Sequence, residues 1–243
     1  MYPIYCINLE NRTDRKIHSI NEFNKINILL DNVKYPHFIK DPRGGIYGCF
    51  DSHMKIWNDF YKNYPNEKYC LIFEDDFELV DDNFDKTIKE TVEFIDKNYN
   101  YIDILNLHDY YYIDVNHNIN NKLFTNGCGT SLHAYFITRH YIDSIITKYG
   151  DLPIPNGIHI DFSINFDTKS NLYTKNIFYT KNKCFNQMIS KTDNSLNILR
   201  YTNNDINFLN NITKYLCLKG KWIFNLTDND VKYIINTIYK MFI

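Results

Sequence analysis

The sequence predicts an α/β fold with a mixed, mostly parallel sheet, and three observations carry that prediction. Residues 69–79, YCLIFEDDFEL, run from an apolar stretch straight into Glu74, Asp75 and Asp76. An apolar run of this length suits an inner strand covered on both faces, and the abrupt charge marks where the chain leaves the core. Elsewhere, short apolar or alternating stretches are followed by segments of helical spacing, the pattern of β-α units. Finally, 243 residues with 44% hydrophobic and 16% aromatic content can bury the sizeable core of one domain of ordinary to large size.

Taken in order, residues 2–9, YPIYCINL, read as a first strand, and 11–24 follow with helical spacing through Ile17, Ile20 and Phe23. Asn11 or Thr13 is suited to cap that helix, and its exposed N–H groups with Arg12 and Arg15 suit a diphosphate or a nucleobase edge. Solvated arginines on a first turn explain the same pattern. Residues 32–39 read as a short second strand, and DPRGG at 41–45 as a loop. In GCFDSHMKIW, Gly48 frees the backbone, Asp51 or Ser52 is placed to cap a helix, and His53 falls in its first turn, as a structural residue or a ligand contact. The acidic strand precedes a helix starting at about residue 83, whose N-terminus accounts for Asp81 and Asp82.

Residues 101–107 alternate like a strand that ends at His108 and Asp109, and the tyrosine-rich 110–121 read as a surface loop or short hairpin. A glycine-bearing turn is expected at 125–131, then a strand at 133–138 and a helix at 139–148. Two prolines in LPIPN interrupt it, and Asp161 follows between apolar residues, either as a helix cap or as a base near a substrate. A strand at 173–180 and CFNQ at 184–187 close the compact part. The expected division is a catalytic domain over 1–194 and a mainly helical segment over 195–243 packed on it. Its last fifteen residues are apolar at helical spacing, which fits docking on the domain, a membrane surface or a homodimer contact.

Composition narrows the partners. A net charge of −2 with a pI near 6.4 gives no field that attracts nucleic acid or an acidic membrane, so small molecules or glycans are expected. No apolar stretch approaches the roughly 20 residues of a membrane span, and MYPIYCINLE has no signal-peptide pattern, so a soluble, cytoplasmic chain is expected. The six cysteines are scattered singly, as buried thiols of a reducing compartment are. Heavy use of Asn, Ile, Lys and Tyr suggests an AT-rich genome: a parasite, a bacterium or a large virus.

The acids at 74–76 come too early to cap the following helix. Ligands of open α/β sheets sit at the carboxyl ends of strands. Three adjacent carboxylates repel one another unless something positive joins them, and oxygen-only ligands suit Mg²⁺ or Mn²⁺.

YCINLENRTDR, then GCFDSHMKIW, then YCLIFEDDFEL resemble, in order and spacing, the motifs of glycosyltransferase family 25, and GTSLHAYFITRHYIDSI is similar to a later segment of it. The resemblance covers about residues 2–190. It implies a GT-A-like, Rossmann-type nucleotide-sugar-binding sandwich and transfer of a sugar, with inversion, from a UDP-sugar to a glycan or glycoprotein hydroxyl. Galactose is the implied sugar, with glucose and N-acetylglucosamine open. The metal would lie on Glu74 and Asp76 as the outer positions of a DxD-like motif, with His159 or Gln187 as a further ligand. The nucleotide-sugar set would be Asn8, Arg12, Arg15, Ser52, His53, Glu74 and Asp75. Asp161, or else Asp109, would be the general base. A Mg²⁺ phosphoesterase and a non-catalytic carbohydrate-binding or scaffold protein are the competing readings.

Overall fold

The computed structural model describes residues 2–188, apart from 27, 108–111, 117–122, 130–131, 156, 166, 168 and 182. Asp109 and the segment 195–243 lie outside the described residues. Ten strands and five α-helices alternate along the described chain. β1 (Ile4–Ile7) leads into α1 (Thr13–Lys25), and β2 (Val33–Lys34) precedes α2 (Gly45–Asn63). β3 (Tyr69–Glu74), β4 (Phe77–Leu79) and α3 (Phe84–Lys97) follow, then β5 (Ile104–Asn106), β6 (Tyr112–Asn116) and β7 (Phe124–Gly129). The described part closes with β8 (Ala134–Thr138), α4 (Arg139–Tyr149), α5 (Ile160–Asn165), β9 (Ile177–Thr180) and β10 (Phe185–Gln187).

Eight strands form one sheet in the order β2-β1-β3-β8-β5-β9-β7-β6, and β10 pairs with β4 beside it. β2, β1, β3, β5, β9 and β6 point one way, while β8 and β7 run against their neighbours. The sheet is therefore mixed, with most strands co-directional, and the carboxyl ends of β1, β3 and β5 share one edge.

Strand alternation sends successive side chains to opposite faces, and each face has its own core. Leu71, Phe73, Leu105, Phe136 and Phe178 pack with Phe23 of α1 and with Phe84, Phe94 and Ile95 of α3. Cys70, Ile72, Ile104, Tyr135, Ile177 and Tyr179 pack with Phe50, Trp57 and Phe60 of α2, Tyr141 and Ile142 of α4, and Ile160 and Ile164 of α5. The second face, richer in tyrosine and tryptophan, carries polar atoms into the interior where each hydroxyl or indole N–H needs a partner. Arg139 ties α4 to α2: its guanidinium donates to the carbonyls of Phe60 and Tyr61 in the last turn of α2 and of Glu67 in the loop beyond it, at 3.0–3.1 Å.

Several local expectations are corrected. Neither Asn11 nor Thr13 caps α1; Arg12 occupies the cap position because its N–H is turned back onto the Leu9 carbonyl. Asp14 supplies the first-turn charge instead, its carboxyl held down to about pKa 2 by the Arg12 side chain. α2 starts at Gly45, so Asp51 and Ser52 lie inside it and cap nothing. The helix begins early because Asp41 Oδ1 accepts the Arg43 N–H and Gly44, at φ 119°, turns the chain inward. Gly48 serves packing: a Cβ there would stand 3.2 Å from Asp41 Cβ. The second strand shortens to two residues because Pro36 has no N–H for a ladder, with only a bridge from Leu9 to Phe38 beyond. The turn expected at 125–131 is largely β7, paired on one side with β9 and on the other with β6, so two ladders outweigh the weak strand preference of its glycines.

Candidate functional site

The site grows from the end of β3. Glu74 is the last strand residue, Asp75 and Asp76 make the turn, and β4 carries the chain away. The first β-α unit closes around that turn. Arg15 of α1 is buried and donates Nη1 to Asp75 Oδ1 at 2.9 Å and to Asp76 Oδ2 at 3.4 Å. Asn8, just past β1, donates Nδ2 to Asp75 Oδ2 at 2.7 Å and to the Arg12 carbonyl at 3.1 Å. Burial raises the Asp75 pKa, against the hydrogen bond from Asn8 and the charge of Arg15. The protein itself thus provides a positive group among the clustered acids, but this one guanidinium is shared by Asp75 and Asp76. The remaining excess of carboxylate oxygen fits a divalent cation.

Glu74 turns to the other face of the sheet, toward α2. His53 Nε2 lies 3.1 Å from Glu74 Oε1, and the Cys49 thiol donates to the same oxygen with Sγ at 3.9 Å. Burial pushes the Glu74 pKa up, yet the hydrogen bond from His53, followed by electrostatic interaction with His53, His133 and Arg15, brings it below the usual carboxylate value. The Cys49 thiol is driven well up by burial and by Glu74, Asp161 and Asp76. Behind His53, Tyr135 Oη lies 2.7 Å from Nδ1 and accepts the Trp57 indole N–H at 2.9 Å. The order that satisfies every donor runs Trp57 to Tyr135, Tyr135 to His53 Nδ1, and His53 Nε2–H to Glu74, which assigns the tautomer from the network. The ligand atoms of Cys49, His53 and Glu74 lie within 4.8 Å of one another, a group able to hold a metal ion. Its nitrogen and sulfur donors suit a borderline transition ion better than Mg²⁺.

The structure therefore gathers Asn8, Arg15, Asp75 and Asp76 on one side of the turn and His53 with Glu74 on the other. Arg12 stands beside them, forked onto Asp14 at 2.9 and 3.0 Å. The Ser52 hydroxyl is directed at its own helix, donating to the Gly48 carbonyl at 2.7 Å. His53 sits in the third turn of α2 and is fully buried. His159 immediately precedes α5, whose first turn holds Asp161. Ile160 and Ile164 pack in one core with Phe50 and Met54, which sets α5 against the helix that carries Cys49 and His53. The backbone of Gln187 pairs with Phe77, and the next N–H, of Met188, donates to the Asp76 carbonyl at 2.6 Å.

Sequence reasoning passed over Cys49, Tyr135 and His133 as site residues. The four-residue spacing of Cys49 and His53 on one helix face was the available signal. Nothing local marked Tyr135 or His133, which reach the site only through the pairing of β8 with β3.

Co-directional strand tips with an acidic turn and a basic helix start beside it define an α/β domain with a candidate ligand site at the carboxyl edge of the sheet. The model of glycosyltransferase family 25, described as LPS biosynthesis protein, matches residues 43–164, half of the chain. The chain belongs to glycosyltransferase family 25 and is a glycosyltransferase, a class that uses a sugar donor and an acceptor. The match takes in α2, the acidic turn and Asp161; the YCINLENRTDR segment lies before it. Among solved structures, the crystal structure of A197 from STIV is similar, with 15% identity and a TM-score of 0.43 over 78% of this chain and 87% of that one. No curated protein matches the chain. Among the described residues no helix is long and apolar enough to cross a membrane.

Proposed function

We propose that the chain transfers a hexose, galactose or else glucose or N-acetylglucosamine, from a UDP-sugar to a hydroxyl of a glycan or glycoprotein. In this reading the fold is GT-A-like and a Mn²⁺ or Mg²⁺ ion is used at the acidic turn. The observation that supports it most is the excess of carboxylate over guanidinium at the tip of β3, beside the basic start of α1. Glu74 and Asp76 would hold the ion, with His159 or Gln187 as a further ligand. When bound, it supplies Lewis-acid stabilisation to the departing diphosphate.

The protein's own groups do the rest. His53 donates to Glu74 and keeps it ionised, so its oxygens stay available as acceptors. Arg15 fixes Asp75 and Asp76 in the turn, and Arg12 and Asn8 line its approach from β1. As the acceptor oxygen bonds to the anomeric carbon and the bond to the UDP oxygen breaks, the hydroxyl proton passes to Asp161. Asp109 is the second candidate for that proton.

Calorimetric titration of UDP with and without Mn²⁺, followed by a screen of UDP-sugars for slow hydrolysis, tests the reading. Metal-dependent binding that disappears in Asp76→Ala supports it. Binding of equal strength with and without the ion, or in the variant, removes the metal from the mechanism.

A further inference from the structure

Asn106 ends β5, and its carboxamide is the polar group for which the described structure provides least. The residue is 1% exposed, and neither Oδ1 nor Nδ2 has a hydrogen-bond partner among the described residues. A buried amide in that state forfeits its bonds to water without replacing them, so native proteins seldom retain one.

Its place on the sheet is defined. Leu105 belongs to the face packed on α1 and α3, so Ile104 and Asn106 face α2, α4 and α5. Asn106 stands opposite Tyr135 of β8 and Tyr179 of β9. The hydroxyls of both are directed elsewhere, Tyr135 to His53 and Trp57, Tyr179 to Asn165 of α5. Glu74 lies on the same face and the same edge, with β8 alone between β3 and β5. Two interstrand spacings, about 10 Å, separate the two strands. α5, which carries Asp161, packs on this same face through Ile160 and Ile164.

We propose that Asn106 hydrogen-bonds the ring hydroxyls of the donor's sugar and helps to select which sugar is transferred; this rests on the UDP-sugar reading above. Its carboxamide offers two N–H donors and one acceptor, a match for a pair of neighbouring hydroxyls, and a site built to bond a hydroxyl rejects an analogue lacking it. The amide is retained because the ligand completes it. Since the residue is buried in the free protein, the contact requires neighbouring side chains to part.

The test uses the full chain and two variants, Asn106→Leu and Asn106→Ala, with thermal melting, calorimetric Kd for UDP and for the preferred UDP-sugar, and donor hydrolysis. Asn106→Leu exchanges an unpaired amide for an apolar group of similar size and is expected to raise Tm by about 2–4 °C. UDP affinity stays within about twofold, while UDP-sugar affinity and kcat/KM for donor hydrolysis fall roughly 10- to 100-fold in both variants. Undiminished UDP-sugar affinity in either folded variant overturns the inference, and a lowered Tm with it would identify a structural amide completed by buried water. A wild-type chain that binds no UDP-sugar overturns the donor reading itself, which separates the two failures.

Discussion

Replacing Arg15 by Met should be among the most destabilising single changes at the acidic turn. The Arg15 side chain is 8% exposed and those of Asp75 and Asp76 are 10% and 4% exposed, so water cannot take over when the cation is removed. Breaking a buried pair from one side costs about 3–5 kcal/mol, chiefly the penalty of an uncompensated buried charge. For a domain of this size that is roughly a 6–20 °C fall in Tm. The deficit carries a pH signature. Burial already raises the folded pKa of Asp75, and loss of Arg15 raises it further. The folded variant therefore binds more protons than the folded wild type as pH falls through the upper carboxylate range, and the gap between them narrows there. Urea denaturation of both proteins at pH 7.5 and 5, with Asp75→Asn and the double variant, measures this; the double variant should lose less than the sum of the singles. A deficit below about 1 kcal/mol at pH 7.5, or one that widens on acidification, would refute the assignment of Arg15 as counter-charge to the turn.

His133 is fully buried, and its pKa is lowered to about 4, burial outweighing the pull of Glu74. A histidine depressed in the folded state contributes stability that is fully present above its unfolded pKa of about 6.5 and is lost as pH falls toward 4. The loss totals about 3 kcal/mol; in His133→Asn, denaturation midpoints should show a correspondingly flatter decline across that window. Asp161→Asn should lower transfer turnover roughly 10²- to 10⁴-fold while UDP affinity stays within about twofold. Steady-state rates beside calorimetry report this, and unchanged turnover would remove Asp161 as the proton acceptor.

Much of this was open to sequence reasoning because it depends on neighbours along the chain. The unbroken apolar run at 69–73, which buries Leu71 and Phe73 on one face and Cys70 and Ile72 on the other, was legible as an inner strand, and the sudden acids after it mark the strand tip. Helical spacing in the same way located α1, α3 and α4 to within a few residues. Starts of helices were less legible, since α2 begins where a positive-φ glycine and an Asp41 turn permit it rather than at the first capping residue.

What tertiary structure decided was which groups meet. Arg15 reaches Asp76 across 61 positions, and Tyr135 reaches His53 across 82, and no local period records either contact. Both follow from strand order: β8 inserts antiparallel between β3 and β5, setting Tyr135 behind His53 and opposite Asn106. The sequence by itself determined that carboxylates would emerge at a strand tip, because burial and charge are properties of each residue and its neighbours. Only the packed sheet decided that Arg15 would restrain two of them, that His53 would keep the third ionised, and that an asparagine two strands away would find no partner for its amide among the described residues, because pairing partners are chosen by the whole chain at once.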